Sequence, residues 1–123
     1  MSLNLLINRL EEWPLPPAFE SRVVRAAEMA LMVDGPREGD VSFTLVSGTE
    51  IRELNRDDLG HDRATDVIAF ELGDGAPLIG DVYICPEVAA ENASDTDEDL
   101  PTELLRLVIH GALHVIGYAH PED

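Results

Sequence analysis

The sequence predicts an α+β fold, in which a mixed sheet of about four strands carries helices packed on it. Helix and strand patterns alternate in the first half of the chain, and two strand patterns follow each other in the second half. The loop between those two strands, residues 73–77, is rich in turn-forming residues and predicts an antiparallel hairpin. A chain of 123 residues has room for one core, so we expect residues 1–123 to form a single domain.

The predicted strands are short runs that are apolar or alternate apolar with polar side chains, and turn residues bound them. The second strand is the clearest example, because it alternates from Val41 almost to its end at Val46. Such alternation indicates one face packed on a core. The four predicted strands cover residues 3–7, 41–46, 65–72 and 78–85.

The predicted helices are segments in which apolar residues recur three and four positions apart. Residues 19–33 show this spacing, and an Asp-Gly-Pro run then stops the helix. Residues 48–55 predict a shorter helix with Thr49 as a candidate N-cap, and residues 86–93 predict another that opens with proline. An acidic linker, residues 94–99, leads to the last helix.

The last helix is predicted over residues 104–116, which are apolar except for Arg106, His110 and His114. These three are four residues apart, so they lie ~40° apart around the helix and form one polar stripe. A helix of this kind is expected to be buried with its stripe facing a cleft. Gly117 then permits the left-handed conformation that ends a helix.

His110, His114 and His120 are a candidate metal site. The chain has only four histidines, and three of them have this spacing. Neutral imidazoles suit Zn²⁺, and three protein ligands leave the fourth tetrahedral position open for water. An open position is typical of a catalytic zinc ion, so we predict one such ion held by these three residues.

The composition is strongly acidic, with 25 acidic residues against 8 basic ones and a formal net charge of −17. Such a chain should repel nucleic acid at long range. Cys85 is the single cysteine, which fits a reducing compartment, and the first apolar run is too short for a signal peptide. No apolar stretch is long enough to cross a bilayer. We therefore expect a cytoplasmic protein with no membrane partner.

The segment from His110 to His120 resembles the HGxLHLxGYxH motif of the YbeY family, bacterial ribosomal RNA (rRNA) maturation factors described as single-strand-specific endoribonucleases. Residues 54–55 and 65–70 are similar to the family's LN…TDVLSF segment. Residues 80–84 are similar to its GDIxIS strand. All three segments occur in the family's order and spacing.

The resemblance implies a mixed-sheet α+β fold with one zinc ion on His110, His114 and His120. It also implies a role in rRNA maturation and ribosome quality control, with rRNA and the small ribosomal subunit or its proteins as partners. Zinc would polarise a phosphate oxygen and lower the pKa of its bound water toward ~7. Either that water or a ribose 2′-hydroxyl would attack phosphorus, and the sequence leaves both open.

The chain departs from the family at Leu59, where many members carry an arginine that is thought important for activity. That residue's role, steadying the charge of a phosphate, could pass to Arg63 or Arg56. We therefore treat Arg63 as a candidate catalytic residue. The alternative is that both arginines are solvated charges of a polar loop.

Two other functions compete with the nuclease. The zinc ion could stabilise a non-catalytic ribosome-assembly factor, which the acidic surface and Leu59 favour. The three histidines and Gly117 also match the HExxHxxGxxH pattern of metzincin proteases. Gly111 occupies the position of the glutamate that serves as general base in those proteases, so protease is the weakest of the three.

Overall fold

The computed structural model of the protein describes residues 2–73 and 77–118. The described strands form one sheet in the order β1-β2-β4-β3. Strands β1 and β2 are parallel, β2 and β4 are parallel, and β3 runs antiparallel to β4. The predicted mixed sheet and its hairpin are therefore confirmed, although residues 74–76 of the hairpin loop lie outside the described residues. The strands are β1 (Leu3–Asn8), β2 (Gly39–Leu45), β3 (Val67–Glu71) and β4 (Leu78–Ile84).

Helices cover both faces of this sheet. On one face, the alternating residues Val41, Phe43 and Leu45 of β2 belong to a core cluster that also contains residues of α1 and α4. On the other face, Ile51 of α2 and Ile68 of β3 belong to a second, smaller cluster. The helices are α1 (Phe19–Leu31), α2 (Gly48–Leu59), α3 (Pro86–Asp95) and α4 (Leu100–Val115).

Helix α2 begins at Gly48 as predicted, but its N-cap and its last residue differ from the prediction. Its N-cap is Ser47 rather than Thr49, since the Ser47 hydroxyl accepts a hydrogen bond from the Glu50 backbone N–H at 3.1 Å. The helix continues past residue 55 to Leu59, where Gly60 adopts a left-handed conformation with φ of 77°. The added turn is exposed and polar, so it lacks the apolar periodicity from which a helix is recognised.

Helix α4 begins one turn earlier than the apolar run predicted. The Asp99 carboxylate accepts a hydrogen bond from the Thr102 backbone N–H at 2.8 Å, which caps the helix. At the other end, the Gly117 N–H donates to the His114 carbonyl and the Tyr118 N–H donates to the Leu113 carbonyl, both at 3.0 Å. Gly117 has φ of 101°, so the predicted glycine-dependent helix end is confirmed.

Helix α4 packs on α1, α3, β3 and β4, which gives it the central position in the fold. It approaches the sheet closely at Gly111, where an added Cβ would lie 2.5 Å from Cγ1 of Val82 on β4. Gly80 of β4 allows a second close approach, because a Cβ there would lie 2.7 Å from Cγ1 of Val115. Small residues at these two contacts let the helix lie directly on the sheet. Across residues 2–73 and 77–118, no helix has both the length and the apolarity required to span a bilayer.

Candidate functional site

A cleft of about 440 Å³ lies beside β3, one of the two edge strands of the described sheet. Three parts of the chain form its walls: the C-terminal half of α4, strand β3, and the end of α2 with the loop that follows it. The residues that line it are Asn55, Leu59, His61, Arg63, Thr65, Val67, Ile68, Ala69, His110, Gly111 and His114.

His110 and His114 lie one helical turn apart on α4, and both line this cleft. The prediction of a polar stripe that faces a cleft is therefore confirmed for the two histidines. It is wrong for Arg106, which lies outside the cleft lining and forms an ion pair with Glu103. Glu103 is only 2% exposed, and a buried carboxylate is stable only with a compensating charge and hydrogen bonds. Hydrogen bonds to Glu103 raise the pKa of Arg106.

The third histidine of the predicted metal site, His120, lies outside the described residues. In the part of the chain that is described, no group of three side chains could hold a metal ion. The donors that are described fit zinc: His110 and His114 present two imidazoles to one cleft, and imidazole is a preferred zinc ligand. The zinc site of His110, His114 and His120 stays a prediction.

Gly111, between the two histidines, explains why the helix carries no acid at the position where metzincins have glutamate. A Cβ atom added to Gly111 would lie 2.5 Å from Val82 Cγ1 and 3.4 Å from Val67 Cγ2. A glutamate at this position would have to push the helix away from the sheet. The packing therefore excludes the general base that a protease of that class requires.

Asn55 holds the loop that forms another wall of the cleft. The side chain is 4% exposed, and its Nδ2 donates to the Arg63 carbonyl at 3.0 Å. The Asn55 carbonyl accepts from the His61 backbone N–H at 3.1 Å, and the Arg63 N–H donates to the His61 carbonyl at 2.9 Å. These bonds position His61 and Arg63 beside the cleft. Sequence patterns alone gave no role to His61, and Asn55 was recognisable only as part of the family's LN segment.

The two arginines considered for the family's missing arginine differ in environment. Arg63 lines the cleft, whereas Arg56 lies outside the lining and its Nε donates to the Asp57 carboxylate at 3.0 Å. Leu59 is 50% exposed at the last turn of α2 and contributes an apolar side chain to the cleft wall. Of the two arginines, only Arg63 is therefore positioned to meet a ligand in the cleft.

A partly buried polar cluster joins the elements that form the cleft. Asn92 of α3 donates to Asp66 at 3.1 Å, and its Nδ2 lies 3.5 Å from a carboxylate oxygen of Glu103 on α4. Asp66 directly precedes β3, so one side chain links the start of that strand to the histidine helix. The sequence did not predict this cluster. The one feature of the sequence that could have indicated the cluster is Glu103, a charged residue one turn before Leu107 on a helix face that is otherwise apolar and buried.

Comparison with known proteins identifies the family. The family model described as Endoribonuclease YbeY matches residues 8–123. An Endoribonuclease YbeY of Elusimicrobium minutum is 35% identical over 121 residues, which cover 92% of this chain and 84% of that protein. The relative of the same name in Limosilactobacillus fermentum is 37% identical and is matched over 98% of this chain and 86% of its own length.

Proteins from Thermotoga maritima give a similar result for sequence and for structure. An Endoribonuclease YbeY of this organism is 45% identical over 80 residues, which cover 65% of this chain and 53% of that protein. The chain thus spans about half the length of the Thermotoga relatives it matches. A solution structure of a T. maritima protein superposes with a TM-score of 0.63 and 32% identity, covering 97% of this chain and 76% of the other.

The fold and the sequence matches assign the chain to a family whose members are described as endoribonucleases. It belongs to the YbeY family.

Proposed function

We propose that this chain is a zinc-dependent endoribonuclease that cleaves single-stranded RNA and acts in rRNA maturation and ribosome quality control. The observation that carries the proposal is the pair of imidazoles, His110 and His114, on the wall of one cleft in a chain of this family. Its relatives are described as endoribonucleases. The proposed partners are rRNA and the small ribosomal subunit or its proteins, and the proposed location is the cytoplasm.

His110, His114 and His120 are the residues proposed to hold the zinc ion. When bound, the ion would polarise a phosphate oxygen and lower the pKa of a water molecule toward ~7. The close packing of Gly111 on Val82 fixes the helix that carries the first two histidines, so their spacing is set before any ligand binds. The apolar side chains of Leu59 and Val67 limit how much water shares the cleft.

The alternative function is a non-catalytic ribosome-assembly factor that zinc stabilises. Two observations favour it. Leu59 offers no charge at the position where many family members carry an arginine, and the net charge of −17 suits basic ribosomal proteins better than bare RNA. The two functions share the metal site and differ in whether RNA is cleaved.

The test compares the wild-type protein with His114→Ala and with His61→Asn as a matched control. Both replaced histidines line the cleft, but only His114 is proposed to bind metal. We expect about one zinc ion per wild-type chain and per His61→Asn chain, and loss of that zinc in His114→Ala. Cleavage of labelled single-stranded RNA should be lost together with the zinc, while a duplex of the same sequence should resist the wild-type protein.

Equal cleavage by the wild type and His114→Ala would rule out the zinc hydrolase. Zinc binding with ribosome association but without cleavage at any salt concentration would support the assembly factor instead. A substrate with 2′-deoxyribose at the cut position distinguishes the two nucleophiles, because only attack by water tolerates the loss of the 2′-hydroxyl.

A further inference from the structure

The cleft differs in charge from the rest of the molecule. The chain carries 25 acidic residues, yet none of the described residues that line the cleft is Asp or Glu. The lining instead includes Arg63 and His61 in addition to the two histidines of α4. A ligand with negative charge is therefore accepted here more readily than on the surrounding acidic surface.

Arg63 is available to bind a ligand. Among the contacts of residues 2–73 and 77–118, four of the eight arginines form ion pairs, and these are Arg9, Arg52, Arg56 and Arg106. Arg63 forms none within the described residues, although its neighbour Asp62 is acidic. Arg52 holds the Asp62 carboxylate at 2.8 Å, which leaves the Arg63 guanidinium without a competing partner in its own loop.

The backbone of this loop is fixed even though its side chains are exposed. The buried Asn55 bonds to the backbone of both His61 and Arg63, and the two residues are joined by a further backbone hydrogen bond of 2.9 Å. The side chains of His61 and Arg63 therefore extend from one short segment whose backbone is fixed by hydrogen bonds. Binding a ligand therefore orders only side chains, which lowers the entropy cost of binding.

We propose that His61 and Arg63 form a phosphate-binding subsite that holds a phosphodiester of single-stranded RNA in the ground state, with Asn55 as its positioning residue. Arg63 supplies a planar guanidinium that can donate two parallel hydrogen bonds to phosphate oxygens. His61 supplies a ring N–H, which imidazole has in either tautomer. The inference rests on the proposed function for its ligand, but it concerns binding and not bond cleavage.

The subsite is small, which limits the RNA that it recognises. One guanidinium and one imidazole can neutralise about one phosphate, and the acidic surface beyond them repels the remainder of a long strand. We therefore expect the protein to select short, accessible single-stranded segments. For the same reason, loss of Arg63 should remove about one phosphate contact and the release of counterions that accompanies it.

The experiment measures binding of a fluorescent 2′-O-methyl oligonucleotide, which lacks the 2′-hydroxyl nucleophile, to zinc-loaded protein. Arg63→Gln should weaken binding about tenfold, as expected for a lost charge-assisted hydrogen bond. The slope of log affinity against log salt should become less negative by about 0.7. His61→Ala should weaken binding about threefold, since alanine lacks the ring N–H donor.

Arg56→Gln is the matched control, because it removes the same charge from the same segment at a residue outside the cleft lining. Its affinity should stay within about twofold of wild type, and its salt slope should equal that of wild type. Equal effects of Arg63→Gln and Arg56→Gln, or no effect of either, would overturn the subsite. Excess inorganic phosphate serves as competitor. Displacement by phosphate that exceeds displacement by chloride at the same ionic strength, and that is reduced in Arg63→Gln, would support the subsite, and equal displacement by the two anions would overturn it.

Cleavage kinetics separate the subsite from the proposed function. With the subsite present, Arg63→Gln should raise KM and leave kcat within about threefold of wild type. If the wild type fails to cleave RNA but Arg63→Gln still weakens binding, only the nuclease proposal fails. If cleavage depends on zinc while Arg63→Gln binds and cleaves as the wild type does, only the subsite proposal fails.

Discussion

Gly111 shows how a single residue connects packing to the candidate site. It lies between His110 and His114 in the chain, and its missing side chain lets α4 contact Val82 of β4. Because Gly111 occupies the position of the metzincin glutamate and must stay small for this contact, the cleft has no general base at that position. The residue is therefore needed for the position of the helix rather than for helix formation, where glycine is unfavourable by ~1 kcal/mol relative to alanine.

Gly111→Ala should destabilise the protein by about 1 kcal/mol, because overpacking against Val82 outweighs the gain in helix propensity. Chemical denaturation measures the free energy of unfolding. Val82→Ala removes the atom that the new methyl group meets, so the double variant should be more stable than the sum of the two single changes predicts, by at least about 0.5 kcal/mol. If the changes in the free energy of unfolding of the two single variants add exactly in the double variant, helix α4 accommodates the new methyl group without a loss of stability from contact with Val82.

At the scale of one element, helix α2 is stabilised by interactions at its first turn, and the loop that forms one wall of the cleft follows its last turn. The Glu50 carboxylate accepts a hydrogen bond from the Ser47 backbone N–H at 2.9 Å and completes a capping box. Its second oxygen accepts from Arg9 at 2.8 Å. The bond from Arg9 and the bond from the Ser47 backbone lower the pKa of Glu50 from 4.5 to about 2.

Glu50→Gln should therefore destabilise the protein more than Glu53→Gln, a matched change at an exposed residue of the same helix. At pH 7 we expect a difference of about 1 kcal/mol for a weakened cap and a lost, partly exposed ion pair. Because the folded-state pKa of Glu50 is lowered, its contribution is complete above the unfolded pKa of 4.5 and is lost toward pH 2.

Thermal unfolding of both variants across this pH range measures the effect. The gap in Tm between them should be constant from pH 7 to about 5 and should narrow below it. A gap that widens on acidification would contradict the assignment of this carboxylate as an ionised cap.

At the scale of the whole molecule, the formal charge of −17 opposes folding through repulsion between carboxylates. The described residues hold few ion pairs compared with the number of acidic residues, so most of this repulsion is uncompensated. Salt shortens the distance over which exposed charges interact, from ~30 Å at 0.01 M to ~10 Å at 0.1 M.

The Tm of the protein should therefore rise with NaCl concentration at pH 7. The control is the same titration near pH 4.3, the isoelectric point, where no net repulsion is left to screen and the slope should be close to zero. A Tm that falls with salt at pH 7 would show that attractive ion pairs dominate the electrostatics.

The sequence by itself determined the mixed four-stranded sheet, the four helices, the helix end at Gly117 and the shared face of His110 and His114. These features follow from periodicity and from glycine and proline positions, which involve residues close in the chain. The single domain and the zinc ligation that includes His120 stay predictions. The YbeY resemblance was confirmed by comparison with known proteins.

Only the tertiary structure decided which distant residues meet. It brought Arg63 but not Arg56 to the cleft wall and set Gly111 of α4 against Val82 of β4. Such contacts depend on how α2 and α4 pack across the sheet and on the register of its strands. No pattern of neighbouring residues specifies these, because each contact joins segments whose separation along the chain carries no information about their distance in space.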